Sequence, residues 1–185
     1  MQHKEGKHTI VDPEYVQSFG FTSCTEFDAG LLVPEQRIRD LCIENRCGNY
    51  NAHYMCPPYS GTLEQIKTQL RAYERGIVLQ YSRPLDVEHD KEGLKRTKRE
   101  FHEMLLQLET CLREKGTKQL WALTAGNCGL CEPCYAIKGE PCPYPEKART
   151  SLVALGIDVI SLLDRLGLDS GFHPDRITWT GCMLF

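Results

Sequence analysis

The chain has 185 residues, 41% hydrophobic and 25% charged, a length and balance that predict one compact domain spanning 1–185 and exclude disordered and fibrous classes. No apolar run approaches the ~20 residues of a membrane span, and the first eight residues lack the apolar stretch of a signal peptide, so a cytoplasmic protein is expected. The formal net charge of -3, from 22 basic and 25 acidic residues, gives no electrostatic reason to expect nucleic acid or an anionic membrane as partner.

In chain order, the first predicted element is a strand over 19–27. A short helix over 34–41 follows, with Pro34 and Glu35 in its first turn. Thr62 and Gln65 form a capping box ahead of Leu63, Ile66, Leu70 and Tyr73, which share one helix face that Gly76 closes. Residues 77–81 read as a buried strand. A long helix over 91–115 carries Leu94, Phe101, Met104, Leu105, Leu108 and Leu112 on one face and stops at Gly116. The next strand is 120–124. Two strands joined through a long helix normally lie parallel, so the expected fold class is α/β, a small partly parallel sheet flanked by helices, with two cysteine-rich metal-binding loops. Helices over 145–155 and 159–166, each followed by glycine, and a last strand over 177–185 complete the reading.

Ten cysteines without an export signal point to metal or catalytic thiols, because the reducing cytosol does not maintain structural disulfides. Seven of them form two groups, at 42–56 and 128–142. In the second, Cys128, Cys131 and Cys134 are each three apart in a turn containing glycine and proline, and Cys142 follows after seven residues. One short segment thus directs three thiolates at three irons of a cubane, and a more distant cysteine supplies the fourth, close in form to the bacterial ferredoxin run. Zinc and free thiols are the alternatives, although zinc sites usually show two separated cysteine pairs. The first group, Cys42, Cys47 and Cys56, offers only three thiolates. A cubane there needs a fourth ligand: Cys24, Cys182, His53, a thiolate of the other group, or an exogenous molecule. A second 4Fe-4S cluster is expected, with zinc or reduced core cysteines as alternatives.

Cys128 closely follows the strand ending near Thr124, which places the second group outside the carboxyl edge of the sheet, where open α/β sheets bind ligands. Gly126, Gly129 and Gly48 either donate amides to cluster sulfides or simply serve turns.

Cys42-Ile43-Glu44-Asn45-Arg46-Cys47-Gly48-Asn49-Tyr50 with Cys56-Pro57-Pro58, then Cys128, Cys131 and Cys134 with Pro141-Cys142 and Gly156-Ile157-Asp158-Val159, resembles the predicted metal-binding protein family called domain of unknown function 2284. The likeness runs from about Asp40 to the C-terminus. It implies an iron-sulfur or other metal role, mostly in anaerobic bacteria and archaea, and supplies no reaction. His53-Tyr54-Met55 departs from the family, where tryptophan is common before the third cysteine.

Other residues have ordinary readings. Cys111, one turn beyond Leu108, is expected in the core, and Cys24 and Cys182 in buried strands. Lys91, Lys95, Arg96, Lys98 and Arg99 form a solvated helix face or a docking patch for an acidic redox partner. Tyr50, Tyr54, Tyr59, Tyr135 and Tyr144 lie near the cysteines in sequence and either shield metal from water or simply pack. No phosphate-binding glycine loop, nucleophile elbow or zinc protease motif occurs. The leading expectation is an iron-sulfur redox protein meeting a partner protein. An enzyme with an open iron in the three-cysteine cluster acting on a small-molecule substrate, and a zinc-stabilised non-catalytic protein, are the competing classes.

Overall fold

A computed structural model describes residues 11–185; the N-terminal segment read above for a signal peptide lies outside them. The helices are α1 (Pro13–Gln17), α2 (Gln36–Ile43), α3 (Leu63–Leu70), α4 (Lys91–Glu114) and α5 (Val159–Arg165), and the strands β1 (Ser23–Asp28), β2 (Arg75–Pro84), β3 (Trp121–Leu123) and β4 (Arg176–Leu184).

The sheet order is β1-β2-β4-β3. Every ladder in it is antiparallel, so the expected partly parallel sheet is corrected. The crossover logic fails at one point only. β2 and β3 do run in the same direction on either side of α4, but the C-terminal strand β4 inserts between them and pairs with both. Parallel pairing among the described residues is limited to an isolated bridge between Thr124 and Ser151. With no two parallel strands adjacent, the crevice that organises ligand sites in open parallel sheets is absent too.

The insertion needs Gly181. A Cβ built there falls 2.4 Å from the Leu123 carbonyl oxygen and 2.9 Å from the Phe101 ring, so a side chain would push β4 away from β3 and α4. β2 is central and buried on both faces through 76–81, which explains its consecutive apolar residues Ile77, Val78 and Leu79. Ile77, Leu79 and Tyr81 meet Phe101, Leu105, Leu108 and Leu112 of α4 on one face. Val78, Leu123, Cys182 and Leu184 meet Ile66, Leu70, Leu155 and Leu162 on the other.

α4 begins where the Asp90 carboxylate accepts the Gly93 N–H at 2.7 Å, and it ends in a turn through Gly116, whose φ of 98° suits glycine. The Thr62–Gln65 capping box forms as expected, but α3 stops at Leu70, six residues before Gly76, which lies in β2. The expected helix over 145–155 is instead a series of turns with a 3-10 helix at Val153–Leu155. Its backbone is needed elsewhere: the Thr124 N–H donates to the Thr150 carbonyl at 2.8 Å and prolongs the line of β3. Leu152, Ala154 and Leu155 are buried, and that spacing produced the helical appearance. No helix among the described residues is long and apolar enough to cross a membrane.

Candidate metal centre

Cys42 lies one residue before the end of α2, and buried Arg39 on the same helix fixes the path that follows. Its guanidinium donates to the Ser60 hydroxyl (2.9 Å), to the Gly61 carbonyl (2.8 Å) and to the Ala154 carbonyl. Both ends of the first cysteine loop are thereby tied to the segment behind it. Within the loop, Asn45 takes the left-handed conformation, its φ being 55°, and its side-chain oxygen accepts the Tyr50 N–H at 2.9 Å. Asparagine tolerates that backbone better than most residues. Cys42 is half-buried, Cys47 exposed and Cys56 buried. Burial is the main cause that pushes the Cys56 thiol up to about 12, with Cys47 and Cys42 adding to it.

The second loop leaves β3 at Thr124. Cys128 is buried. Burial raises its thiol pKa, and backbone N–H groups of Leu130 and Arg149, which donate to the sulfur, pull in the opposite direction. Amides aimed at a sulfur stabilise it as thiolate. Cys128, Cys131, Cys134 and Cys142 all line one small cavity, together with Leu130, Ala148 and His53-Tyr54-Met55 of the first loop. Its free volume is about 10 Å³. Among the described residues no three histidine, cysteine or carboxylate side chains converge tightly enough to hold a single metal ion. The four thiols surround a space without meeting at a point.

The two loops are joined. His53, 5% exposed, donates from Nε2 to the Cys128 carbonyl (3.1 Å), while its Nδ1 accepts the Met55 N–H (3.3 Å). Burial, the largest cause, lowers its pKa, which keeps the ring neutral in this role. The Tyr54 hydroxyl donates to the Glu140 carbonyl at 2.8 Å, and the Thr150 hydroxyl to the Met55 carbonyl at 2.8 Å. Lys98 of α4 donates to the Asn127 side-chain oxygen, its ammonium within electrostatic reach of both Cys128 and Cys56. Cys56 in turn feels Cys128. The groups, 72 residues apart in sequence between Cys56 and Cys128, therefore meet at one end of the molecule.

Three sequence candidates for a fourth ligand of the first group are engaged elsewhere. Cys182 is fully buried in the sheet core, which pushes its thiol well above the usual range. Cys24 packs against the opposite core, its sulfur 3.8 Å from the Pro13 carbonyl. His53 spends both ring nitrogens on backbone groups, so it is a buried strut beside the thiols. Cys111 is half-buried and faces a cleft beside α4 instead of the core. Of the five tyrosines only Tyr54 lines the four-cysteine cavity, and Tyr59, Tyr135 and Tyr144 are exposed.

The basic run on α4 is largely a solvated face, with Lys95 near Glu92 and Arg96 near Glu100. Lys98 is the exception, turned inward over the second loop, with its Cε 3.6 Å from where a Cβ on Gly126 would sit. Sequence reasoning also passed over His102, which is buried, with Nδ1 accepting the Thr124 hydroxyl (3.0 Å) and Nε2 donating to the Lys147 carbonyl (2.9 Å). The available signal was helical spacing: Lys98 and His102 are four apart, immediately beside the apolar stripe.

Comparison with known proteins adds the family. The model of the family described as predicted metal-binding protein (DUF2284) matches residues 25–185. No curated protein and no solved structure matches the chain. The match spans both cysteine loops and all four strands except the first two residues of β1, and the chain belongs to the predicted metal-binding protein family DUF2284.

Proposed function

We propose that the cysteine-rich end holds iron-sulfur clusters, two of the 4Fe-4S type, and that the protein transfers electrons in the cytoplasm as a carrier or as the redox subunit of a partner protein. The observation that carries this reading is the cavity shared by Cys128, Cys131, Cys134 and Cys142. Four thiols arranged around a space suit a cubane, in which each iron takes one thiolate, better than a single zinc, whose four ligands must converge at about 2.3 Å. Cys42, Cys47 and Cys56 supply three thiolates to the second cluster. A 4Fe-4S cluster, when bound, supplies one-electron chemistry whose potential depends on burial and on hydrogen bonds to sulfur. Here the Leu130 and Arg149 amides and the nearby Lys98 ammonium are the groups that favour the more reduced, more negative state of the four-cysteine site.

The engagement of Cys24, Cys182 and His53 elsewhere favours a second reading. If none of them completes the first group, one iron stays open to an exogenous ligand, and the protein is an enzyme acting on a small molecule. Anaerobic reconstitution tests the primary reading. About eight irons per chain are expected in the parent protein and about four in Cys131→Ser, with Cys111→Ser unchanged. Stoichiometric zinc without iron overturns it, as does an equal loss of iron in Cys111→Ser.

A further inference from the structure

Beside the four-cysteine cavity lies a much larger cleft of about 880 Å³, between one flank of α4 and the second cysteine loop. It has the size of sites that take small organic molecules, roughly 300–1,000 Å³. Protein groups alone form it, and it belongs to neither set of thiols, although Cys131 and Cys134 stand on its wall.

Its charges are unevenly answered. Lys95, Lys98, Arg99 and Lys147 line it, against Glu103, Glu114 and Glu132. Lys95 lies 3.6 Å from Glu132. Among the described residues Lys98, Arg99 and Lys147 have no carboxylate within 4.0 Å, and the Lys98 ammonium bonds to the neutral side chain of Asn127. Cys128, Cys56 and Glu132 act on the Lys98 ammonium only at longer range, which leaves its remaining donor positions open to an anion in the cleft. Leu106 and Ile137 also line this cleft, among polar residues, and Ile137 is 60% exposed. Cationic and apolar side chains in one concavity are complementary to an amphipathic anion.

We propose that this cleft binds a small organic anion, a carboxylate or phosphate ester with an apolar body, whose anionic group pairs with Lys98, Arg99 and Lys147 while its apolar part lies on Leu106 and Ile137. Bound this way, the ligand rests against Cys131 and Cys134, which places it beside whatever those thiols hold. The site goes beyond the cluster reading and does not depend on it.

Anilinonaphthalene sulfonate, an apolar body carrying one anionic group, is a suitable probe, titrated by fluorescence into the folded protein. One saturable equivalent per chain is expected. Lys98→Gln removes a charge-assisted contact and should weaken binding about tenfold. Lys147→Gln, a change at an exposed side chain, should weaken it severalfold without touching the fold, and Arg96→Gln, on the same helix but outside the cleft, should leave it unchanged. Phenylnaphthylamine, which lacks the sulfonate, should bind far less tightly. Binding that is indifferent to both lysine changes, or equal for the two probes, overturns the proposal. Iron measured on the same samples keeps the outcomes separate: loss of the cluster reading with lysine-dependent binding intact leaves the cleft site standing, and the converse removes the cleft site alone.

Discussion

Phe101, Leu105 and Leu108 of α4 are fully shielded between the helix and the sheet, whereas Cys47 is exposed and Cys42, Cys131, Cys134 and Cys142 are half-buried in loops. The first region is held by apolar area on both faces of β2. The second is held largely by polar bonds, those of backbone turns and of His53, Tyr54, Thr150 and Arg39. The contrast teaches that the sheet specifies itself, while the proposed metal would give the cysteine end an added cross-link. Metal-thiolate bonds, which supply folding free energy directly, are the natural source.

The largest expected effect follows from removing that cross-link. Chelation of the metal should expose the loops at 44–60 and 125–150 to proteolysis and rapid hydrogen exchange while amides of β2 and β4 stay protected. Simultaneous loss of both regions would break the distinction. Within the sheet, Phe101→Ala should cost about 3–5 kcal/mol in urea unfolding, because it empties a fully buried site. Gly181→Ala should cost about 1–3 kcal/mol through overpacking against the Leu123 carbonyl. The folded fraction of both variants should retain metal.

His53→Ala reverses the pattern. It strands the buried Cys128 carbonyl and should cost about 1–2 kcal/mol, seen as faster exchange in the two cysteine loops with β2 unaffected. The smallest effect concerns Asp158. The amide of Ser161, then Arg37, holds its carboxyl down at about 2, below the ordinary value of about 3.9. Its contribution is therefore complete above about pH 4 and is lost as pH falls through about 2. Asp158→Asn should flatten that acid limb of the stability profile between α2 and α5 and leave neutral-pH metal content unchanged.

Elements whose pattern was local were legible in the sequence. The capping box, the apolar face of α4 and the apolar residues of β2 each follow from spacing within one segment, and so did the division of seven cysteines into two loops. What escaped was set by distant partners. The place of β4 between β2 and β3 depends on a glycine that lets one backbone approach another, and nothing near Gly181 in sequence announces it. Residues 145–155 have helical spacing, yet Thr150 serves Thr124, and that long-range bond overrides local preference. Lys98 looked like one more surface charge because its partner Asn127 is 29 residues away. The closeness of Cys56 and Cys128 likewise rests on His53 reaching across to a backbone carbonyl.

That closeness would make the two loops one redox-active end if both hold the proposed clusters. Low-temperature electron paramagnetic resonance of the anaerobically reconstituted, fully reduced protein tests it most directly. Two neighbouring clusters should give a spectrum broadened by magnetic interaction, which simplifies to one isolated signal in Cys131→Ser. Two sharp, independent signals, or a protein that carries zinc and no paramagnetic centre, would contradict it.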